Sequence, residues 1–209
     1  RVFAPFAAGY FLSYLLRNAN AVISPELRQD LGLSAADLGL LTSVYLLAFG
    51  AFQLPLGILL DRYGPRRVEA VLLLICAAGA LLFAMGAGMP QLTVGRALIG
   101  LGVSACLMAS IKAFSLWFPI ERQASLNAAI MAAGGLGAIA ASSPLGALMP
   151  VLGWRGIFAG LAVLALITAL LIFTTPEKAG GAARESLRQQ LTGLAGIFGS
   201  RAFWRFAPQ

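Results

Sequence analysis

The chain has 209 residues, of which 59% are hydrophobic and only 11% are charged, whereas soluble domains carry about a quarter charged residues. One soluble core cannot bury so much apolar surface, so we expect an all-α integral membrane protein with lipid as its main solvent. The net charge of +7 comes from scattered basic residues, and the chain contains no histidine; we therefore expect no nucleic-acid binding, no metal, no cofactor and no enzymatic activity.

Six apolar stretches are each long enough to cross a bilayer, which takes about 20 helical residues. In chain order they are expected at Phe3–Ala21, Leu38–Leu60, Val68–Gly86, Leu92–Phe118, Ser125–Leu152 and Ile157–Thr174. Pro25 is expected to end the first helix, and Ser34 with Asp37 to form a capping box that begins the second. Gly88–Pro90, Pro119–Gln123 and Gly153–Arg155 predict tight connections.

The sequence becomes polar after Thr174. Residues 175–200 are expected to form a central loop with a short amphipathic helix, because Leu187, Leu191 and Leu194 recur at helical spacing. Residues 201–209 are expected to begin a seventh span, with the remainder of that helix further downstream.

The basic residues predict the orientation of the bundle in the membrane. If Arg1 is inside, ten basic residues lie inside, and only Arg28 and Arg155 lie outside. Since Lys and Arg concentrate in cytoplasmic loops, both ends of the chain are expected to be cytoplasmic. The composition, rich in Ala, Leu and Gly with more Arg than Lys, indicates a bacterial inner membrane.

One pattern of Pro, Leu, Gly and Arg residues occurs twice in the chain. Pro55–Arg67 reads PLGILLDRYGPRR and Pro144–Gly156 reads PLGALMPVLGWRG, the second copy 89 positions after the first. Three predicted crossings separate them, so the copies face opposite sides of the membrane. Residues 1–174 are therefore expected to form one domain of two inverted three-helix repeats, about 3–86 and 92–174. Only the copy predicted to be cytoplasmic carries charges inside the pattern.

The pattern Gly57-x-x-x-Asp61-Arg62-x-Gly64-x-Arg66-Arg67 and the stretch LTVGRALIGLG at Leu92–Gly102 resemble signatures of the major facilitator superfamily of secondary transporters. Pro65 departs from the first signature, where a basic residue is usual. The resemblance covers essentially the whole chain. It implies the amino-terminal six helices and central loop of a twelve-helix transporter, with the carboxy-terminal six-helix half of the same protein as partner.

The signature loop is expected to act as a brace. The Asp61 carboxylate can accept hydrogen bonds from Arg66 or Arg67, and Gly57 and Gly64 allow close approach of helices. By resemblance, the loop braces the closed cytoplasmic gate. The alternative is that its arginines, including Arg62, only fix the topology.

Three cations fall inside the predicted spans, where each costs about 2.5–3.5 kcal/mol on insertion scales. They are Arg17, Arg96 and Lys112, and we expect no acidic side chain inside the spans to neutralise them. On the first helix Arg17 shares one face with Tyr10, Ser13, Tyr14 and Asn20, which is expected to line a cavity. An anionic substrate, or an acid in the other half, would then balance the charge.

The first helix is also similar to that of organic-anion and organophosphate exchangers of the superfamily, which carry a Tyr-rich stretch, an Arg and a later Pro, as Tyr14, Arg17 and Pro25 do here. By this resemblance Arg17 binds the anion. The full set of candidate substrate contacts is Arg17, Tyr14, Asn20, Tyr10, Gln53, Arg96 and Lys112. Each has a plainer alternative: the tyrosines pack, Arg96 bridges helices, and Arg17 or Lys112 extends to the headgroups.

The sequence thus predicts an alternating-access transporter for a small organic anion, such as a carboxylate or a phosphate ester. A proton-coupled sugar or neutral-metabolite symporter is the first alternative, with its coupling acid in the other half. A drug/proton antiporter is less favoured, because SPLGAL at Ser143–Leu148 replaces the Gly-Pro-x-x-Gly-Gly stretch of those relatives. A non-transporting receptor or scaffold also stays open.

Overall fold

A computed structural model describes residues 2–176, and the predictions for the rest of the central loop and for the seventh span lie outside that range. The described part contains seven α-helices and no strand. They are α1 Phe3–Leu31, α2 Ala35–Tyr63, α3 Pro65–Ala84, α4 Met89–Val103, α5 Cys106–Trp117, α6 Ile120–Ala140 and α7 Ser143–Phe173. The all-α membrane fold is therefore confirmed.

The helices make six passes along the bundle, because two of the predicted spans are interrupted. The fourth pass consists of α4 and α5, separated at Ser104 and Ala105. The fifth consists of α6 and the beginning of α7, separated at Ala141 and Ser142. The stretches long and apolar enough to cross a membrane are α2, α3, α4 with α5, α6, and α7; the 29-residue α1 packs among them.

The chain reverses direction inside α7. Gly153 has φ 61° and ψ 173°, which is not helical, and only glycine adopts such a φ readily. The contacts along α1 follow the reversal: Tyr10 with Gly134, Val22 with Gly146, Asp30 with Trp154, and Gly9 with Ile172. Residues 120–152 therefore run parallel to α1, and residues 154–173 run back, which confirms the predicted tight connection at Gly153.

The two ends of the bundle can be named from their contacts. At the signature end, Phe3 stacks on Phe114 with ring centroids 5.5 Å apart, and Arg66 donates to the Thr175 carbonyl. At the opposite end, Trp154 Nε1 donates to Asp30 Oδ2 over 2.9 Å. The repeated motif places Gly64 and Gly153, both with positive φ, at these two opposite ends.

The first helix does not end at Pro25, as the sequence had suggested. It continues to Leu31 and ends at Gly32, whose φ is 65°. A proline leaves the carbonyl four residues earlier without its N–H donor. Here Ser24 Oγ donates to that carbonyl, on Ala21, over 2.8 Å, so the helix passes through the proline with its backbone satisfied.

The capping box at the start of α2 is confirmed. Asp37 N–H donates to Ser34 Oγ over 3.1 Å, and Ser34 N–H donates to Asp37 Oδ2 over 2.9 Å. These reciprocal bonds satisfy two backbone donors that the helix itself cannot pair, and they fix where α2 begins.

Glycines set the close packing between passes. A Cβ on Gly79 would lie 2.9 Å from the Gly95 carbonyl oxygen, and a Cβ on Gly95 equally close to that of Gly79. Likewise, a Cβ on Gly137 or Gly100 would overlap the backbone of α1 or α2. Small residues at such crossings let helix backbones touch, which is how helices associate in lipid.

Candidate functional site

Arg17 lies half-buried between two aromatic rings. Its guanidinium carbon is 5.1 Å from the centre of the Tyr14 ring on α1 and 5.0 Å from that of Phe49 on α2. Among the described residues it has no carboxylate partner, and its buried Nε has no hydrogen-bond acceptor. The side chain is thus held inside the bundle, where it also interacts with the Tyr45 hydroxyl of α2, and none of these contacts neutralises its charge.

Tyr10 and Tyr14 lie two turns and one turn before Arg17 on α1. Together with Arg17 and Phe49 they are called the Arg17 group. The Tyr10 and Tyr14 rings meet edge to face at 5.1 Å, and Tyr10 Oη donates to Tyr14 Oη over 3.4 Å. Tyr10 is buried against α6, where it reaches Met131 Sδ at 3.7 Å. Tyr14, like Arg17, is half-buried. Tyr10 therefore packs beneath the group, and Tyr14 with Arg17 forms its accessible part.

The polar face of α1 does not line one continuous cavity. Ser13 and Asn20 are buried, and Asn20 Nδ2 donates to Thr42 Oγ1 on α2 over 3.0 Å. The expectation that all five residues face a cavity is wrong, because neighbouring helices cover part of that face. Asn20 keeps one open acceptor, a buried Oδ1 without a hydrogen-bond donor.

Arg96 lies in the protein core, 1% exposed. Its guanidinium carbon is 5.0 Å from the centre of the Phe83 ring and 5.3 Å from that of Phe158. Its Nη1 donates to the carbonyl of Leu16 over 3.3 Å, directly before Arg17 in the chain. Arg96 is thus placed to hold the α1 backbone that carries Arg17, and its own side chain is buried in this structure.

Gln53 and Lys112 lie away from the Arg17 group. Gln53 Nε2 donates to the carbonyl of Ser104 over 3.1 Å, at the break between α4 and α5. Lys112 forms an ion pair with Asp61 near the signature end. The expectation that Lys112 has no acidic partner is therefore wrong, because the carboxylate comes from the last turn of α2.

The signature loop makes contacts that differ from those expected. Asp61 pairs with Lys112 of α5, not with the following arginines. Arg66 Nη1 donates instead to the carbonyls of Phe173 and Thr175, over 3.2 and 3.1 Å. Arg62 lies over the Tyr63 ring. Gly57 faces open space within the described chain, and Gly64 forms the turn between α2 and α3.

Three polar or aromatic residues of interest were missed at the level of sequence. Phe49 supplies the second ring over Arg17, but an apolar residue in an apolar span gives no signal. Asn127, one turn before Met131 on α6, has a buried Oδ1 without a donor. Glu69 contradicts the expectation that the spans hold no acid, because it lies fully buried in α3.

Within residues 2–176 no three His, Cys, Asp or Glu side chains come together as metal ligands. A guanidinium stacked between two rings, as Arg17 is, can recognise an anion. A carboxylate or phosphate can accept parallel hydrogen bonds from the edge of that plane while the rings cover its faces.

Comparison with known proteins finds related sequences and a related fold. The sequence model of the Major Facilitator Superfamily matches residues 6–208 of the chain. The chain is 33% identical over 159 residues to the probable L-galactonate transporter of Escherichia coli, covering 76% of this chain and 35% of that protein. It is 27% identical over 162 residues to the probable sulfoacetate transporter of Cupriavidus necator, covering 78% and 38%.

Among solved structures, the xylose transporter XylE from E. coli in an inward-open conformation has a similar fold. The TM-score is 0.64 at 22% identity, and the match covers 98% of this chain and 54% of that one. The chain thus spans little more than a third of the length of the two curated relatives.

Proposed function

The chain belongs to the Major Facilitator Superfamily, and on that premise we propose that it works, with a second six-helix half, as a secondary transporter of a small organic anion. The observation that carries the proposal is the Arg17 guanidinium, which is held between two aromatic rings inside the bundle without a carboxylate partner among the described residues. A cation at that depth needs a counter-charge, and an anionic substrate would supply it.

The names of the two relatives support this substrate class. L-Galactonate is a sugar acid, and sulfoacetate carries a carboxylate and a sulfonate, so both are small organic anions. In this proposal Arg17 binds the anionic group. Tyr14 supplies a further polar contact, Asn20 joins α1 to α2 through Thr42, and Arg96 fixes the α1 backbone at Leu16.

The second half would cover the apolar faces that the described helices leave open. On α2, Leu47 is 70% and Leu54 64% exposed, and on α6 Ile139 is 63% exposed. Gly50 and Gly135, on the same two helices, have open space where a side chain would be. Such faces fit close contact with other helices or with lipid. In this proposal the protein lies in a bacterial inner membrane with its signature end facing the cytoplasm, an orientation that the basic residues in the loops at that end support.

The ion pair between Asp61 and Lys112 gives the signature loop a role in this proposal. It joins the end of α2 to α5, and Arg66 joins the start of α3 to the end of α7. Both contacts hold the signature end of this half together in this arrangement.

A proton-coupled symporter of a neutral sugar is the second candidate, because the xylose transporter is an example of a protein with this fold that carries a sugar. A neutral sugar, however, would leave the charge of Arg17 without a partner. At 22% identity the likeness concerns the fold and says nothing about cargo.

Counterflow in proteoliposomes containing the full-length protein tests the proposal. Vesicles are loaded with unlabelled L-galactonate, sulfoacetate, glycerol 3-phosphate or D-xylose, and uptake of the same labelled compound is followed. We expect exchange of at least one of the anions and none of D-xylose. Exchange of D-xylose without any anion would contradict the anion proposal and favour the sugar symporter.

A further inference from the structure

Glu69 is a buried acid that the proposed transport path does not use. It lies in the second turn of α3, its side chain is 0% exposed, and neither carboxyl oxygen has a hydrogen-bond partner among the described residues. Most buried polar groups in proteins are paired. An acid left this way does not contribute to the stability of the fold, so another reason for its presence is needed.

Four helices close around the Glu69 carboxyl group. Gly9 of α1 leaves the space that Oε1 occupies, since a Cβ there would overlap that atom, and Ile172 of α7 lies beside it. On α5 the Cys106 thiol interacts with the carboxyl group, but a thiol is a weak donor. On α3 itself the titratable neighbours are Arg66, one turn earlier, and Cys76.

No cation among the described residues neutralises Glu69. Arg66 Nη1 is bonded to the carbonyls at the end of α7, and Lys112, on the helix of Cys106, is paired with Asp61. An isolated carboxylate in a low-dielectric interior costs several kcal/mol, and such a group takes up a proton instead. In this closed arrangement Glu69 is therefore neutral.

We propose that Glu69 is a proton-binding site that controls the closure of the signature end. The carboxyl group is covered by the first turns of α1 and by the last turns of α7. Its proton can leave only to water, which reaches it when these segments separate, and the resulting carboxylate is then hydrated. A bound proton therefore favours the closed signature end, and loss of the proton favours the open one. The consequence for cargo movement rests on the proposed transport function; the proton site does not.

Hydrogen–deuterium exchange on the full-length protein in detergent measures this opening. The relevant peptides cover residues 3–9 and 165–173. After correction for intrinsic exchange, we expect their exchange rate to rise about tenfold per pH unit once the proton is being lost, because one proton is linked to opening. Glu69→Gln, which resembles the neutral acid, should remove that rise. Glu121→Gln, at an exposed acid on the first turn of α6, is the matched control and should keep it.

Infrared difference spectroscopy of the same samples follows the proton itself. We expect the carbonyl band of a protonated carboxyl group that is missing in Glu69→Gln and is lost at the pH at which the rise in exchange ends, because the slope persists only while the closed form holds its proton. The proposal is overturned if exchange follows the same pH course in wild type and Glu69→Gln, or if no such band exists in wild type. If Glu69→Gln does not fold, the two wild-type titrations must share a midpoint, and separate midpoints overturn the proposal. Neither readout uses a substrate, so failure here is distinct from failure of the anion proposal.

Discussion

Arg66 and Arg155, which are 89 positions apart, make the same contact at opposite ends of the bundle. Each donates from Nη1 to two carbonyls, Arg66 at the end of the sixth pass and Arg155 at the end of the third. Arg66 reaches Phe173 and Thr175 over 3.2 and 3.1 Å, and Arg155 reaches Ala84 and Gly86 over 3.2 and 2.7 Å. The four carbonyls are related by the same offset of 89 positions. Each arginine therefore caps the end of another helix, and together they tie the third and sixth passes to each other at both ends.

Removing one of these caps should destabilise the bundle. Arg155→Ala leaves the carbonyls of Ala84 and Gly86 without a charged donor, and hydrogen bonds to charged groups contribute about 1.5–3 kcal/mol. We expect a loss of stability of that size, measured by thermal or denaturant unfolding of the purified protein in detergent. Arg28→Ala, at an exposed arginine of the same end, is the control and should change stability by less than about 0.5 kcal/mol. Equal effects of the two variants would show that the cap is unimportant.

Two glycines on α6 should respond differently to the same substitution. A Cβ at Gly137 would overlap the Phe11 carbonyl, whereas a Cβ at Gly135 meets open space. Gly137→Ala should therefore force α1 and α6 apart and cost about 1–3 kcal/mol, as overpacking does. Gly135→Ala should cost less than Gly137→Ala, because its Cβ would meet no described atom within 4 Å. Unfolding of the two variants side by side checks this, and a Gly137→Ala protein as stable as Gly135→Ala would refute the packing.

Asp61 and Lys112 should show a small coupling in a double-mutant cycle. The variants are Asp61→Asn, Lys112→Gln and the pair together, compared by unfolding free energy. Because both side chains are partly exposed, at 54% and 27%, we expect a coupling of about 0.2–1 kcal/mol, weakened by added salt. Strict additivity at low salt would mean that the two charges do not interact.

The 209-residue chain alone should not transport. The exposed faces of α2 and α6 indicate that further helices are needed to enclose a path, so one side of it would be missing. Proteoliposomes with residues 1–209 should show no counterflow of the anion that the full-length protein exchanges in parallel vesicles. Flux through the chain alone would contradict a two-half transporter.

The number and order of the passes could be predicted from the sequence, because a chain in lipid must pair its backbone hydrogen bonds within helices. The runs of apolar residues correspond to the observed passes, and the motif repeated at Pro55 and Pro144 corresponds to two of the observed turns. The course of α1 past Pro25 could not be predicted, since it depends on one hydrogen bond from Ser24 to Ala21. The breaks at Ser104 and Ala141 are likewise decided by tertiary packing.

The candidate site could be predicted only in part. Arg17 is visible in the sequence because a cation in an apolar run has a cost, but its second ring, Phe49, is an ordinary apolar residue until the fold is known. The partner of Lys112 could not be predicted, because the loop signature suggests that Asp61 pairs with Arg66 or Arg67. Glu69 lies at the edge of a predicted span, and only the fold shows that its carboxyl group is buried.

Arg17 carries the central claim, and binding of the anion that the full-length protein exchanges tests it most directly. Isothermal calorimetry or counterflow compares wild type with Arg17→Gln and Arg17→Lys, and Arg28→Gln, at an exposed arginine on the same helix, serves as control. Loss of a charged hydrogen bond, about 1.5–3 kcal/mol, predicts about 10- to 100-fold weaker binding for Arg17→Gln. Arg17→Lys should recover only part of the affinity, because an ammonium lacks the planar fork. Wild-type affinity in Arg17→Gln, with the protein folded, would contradict the account.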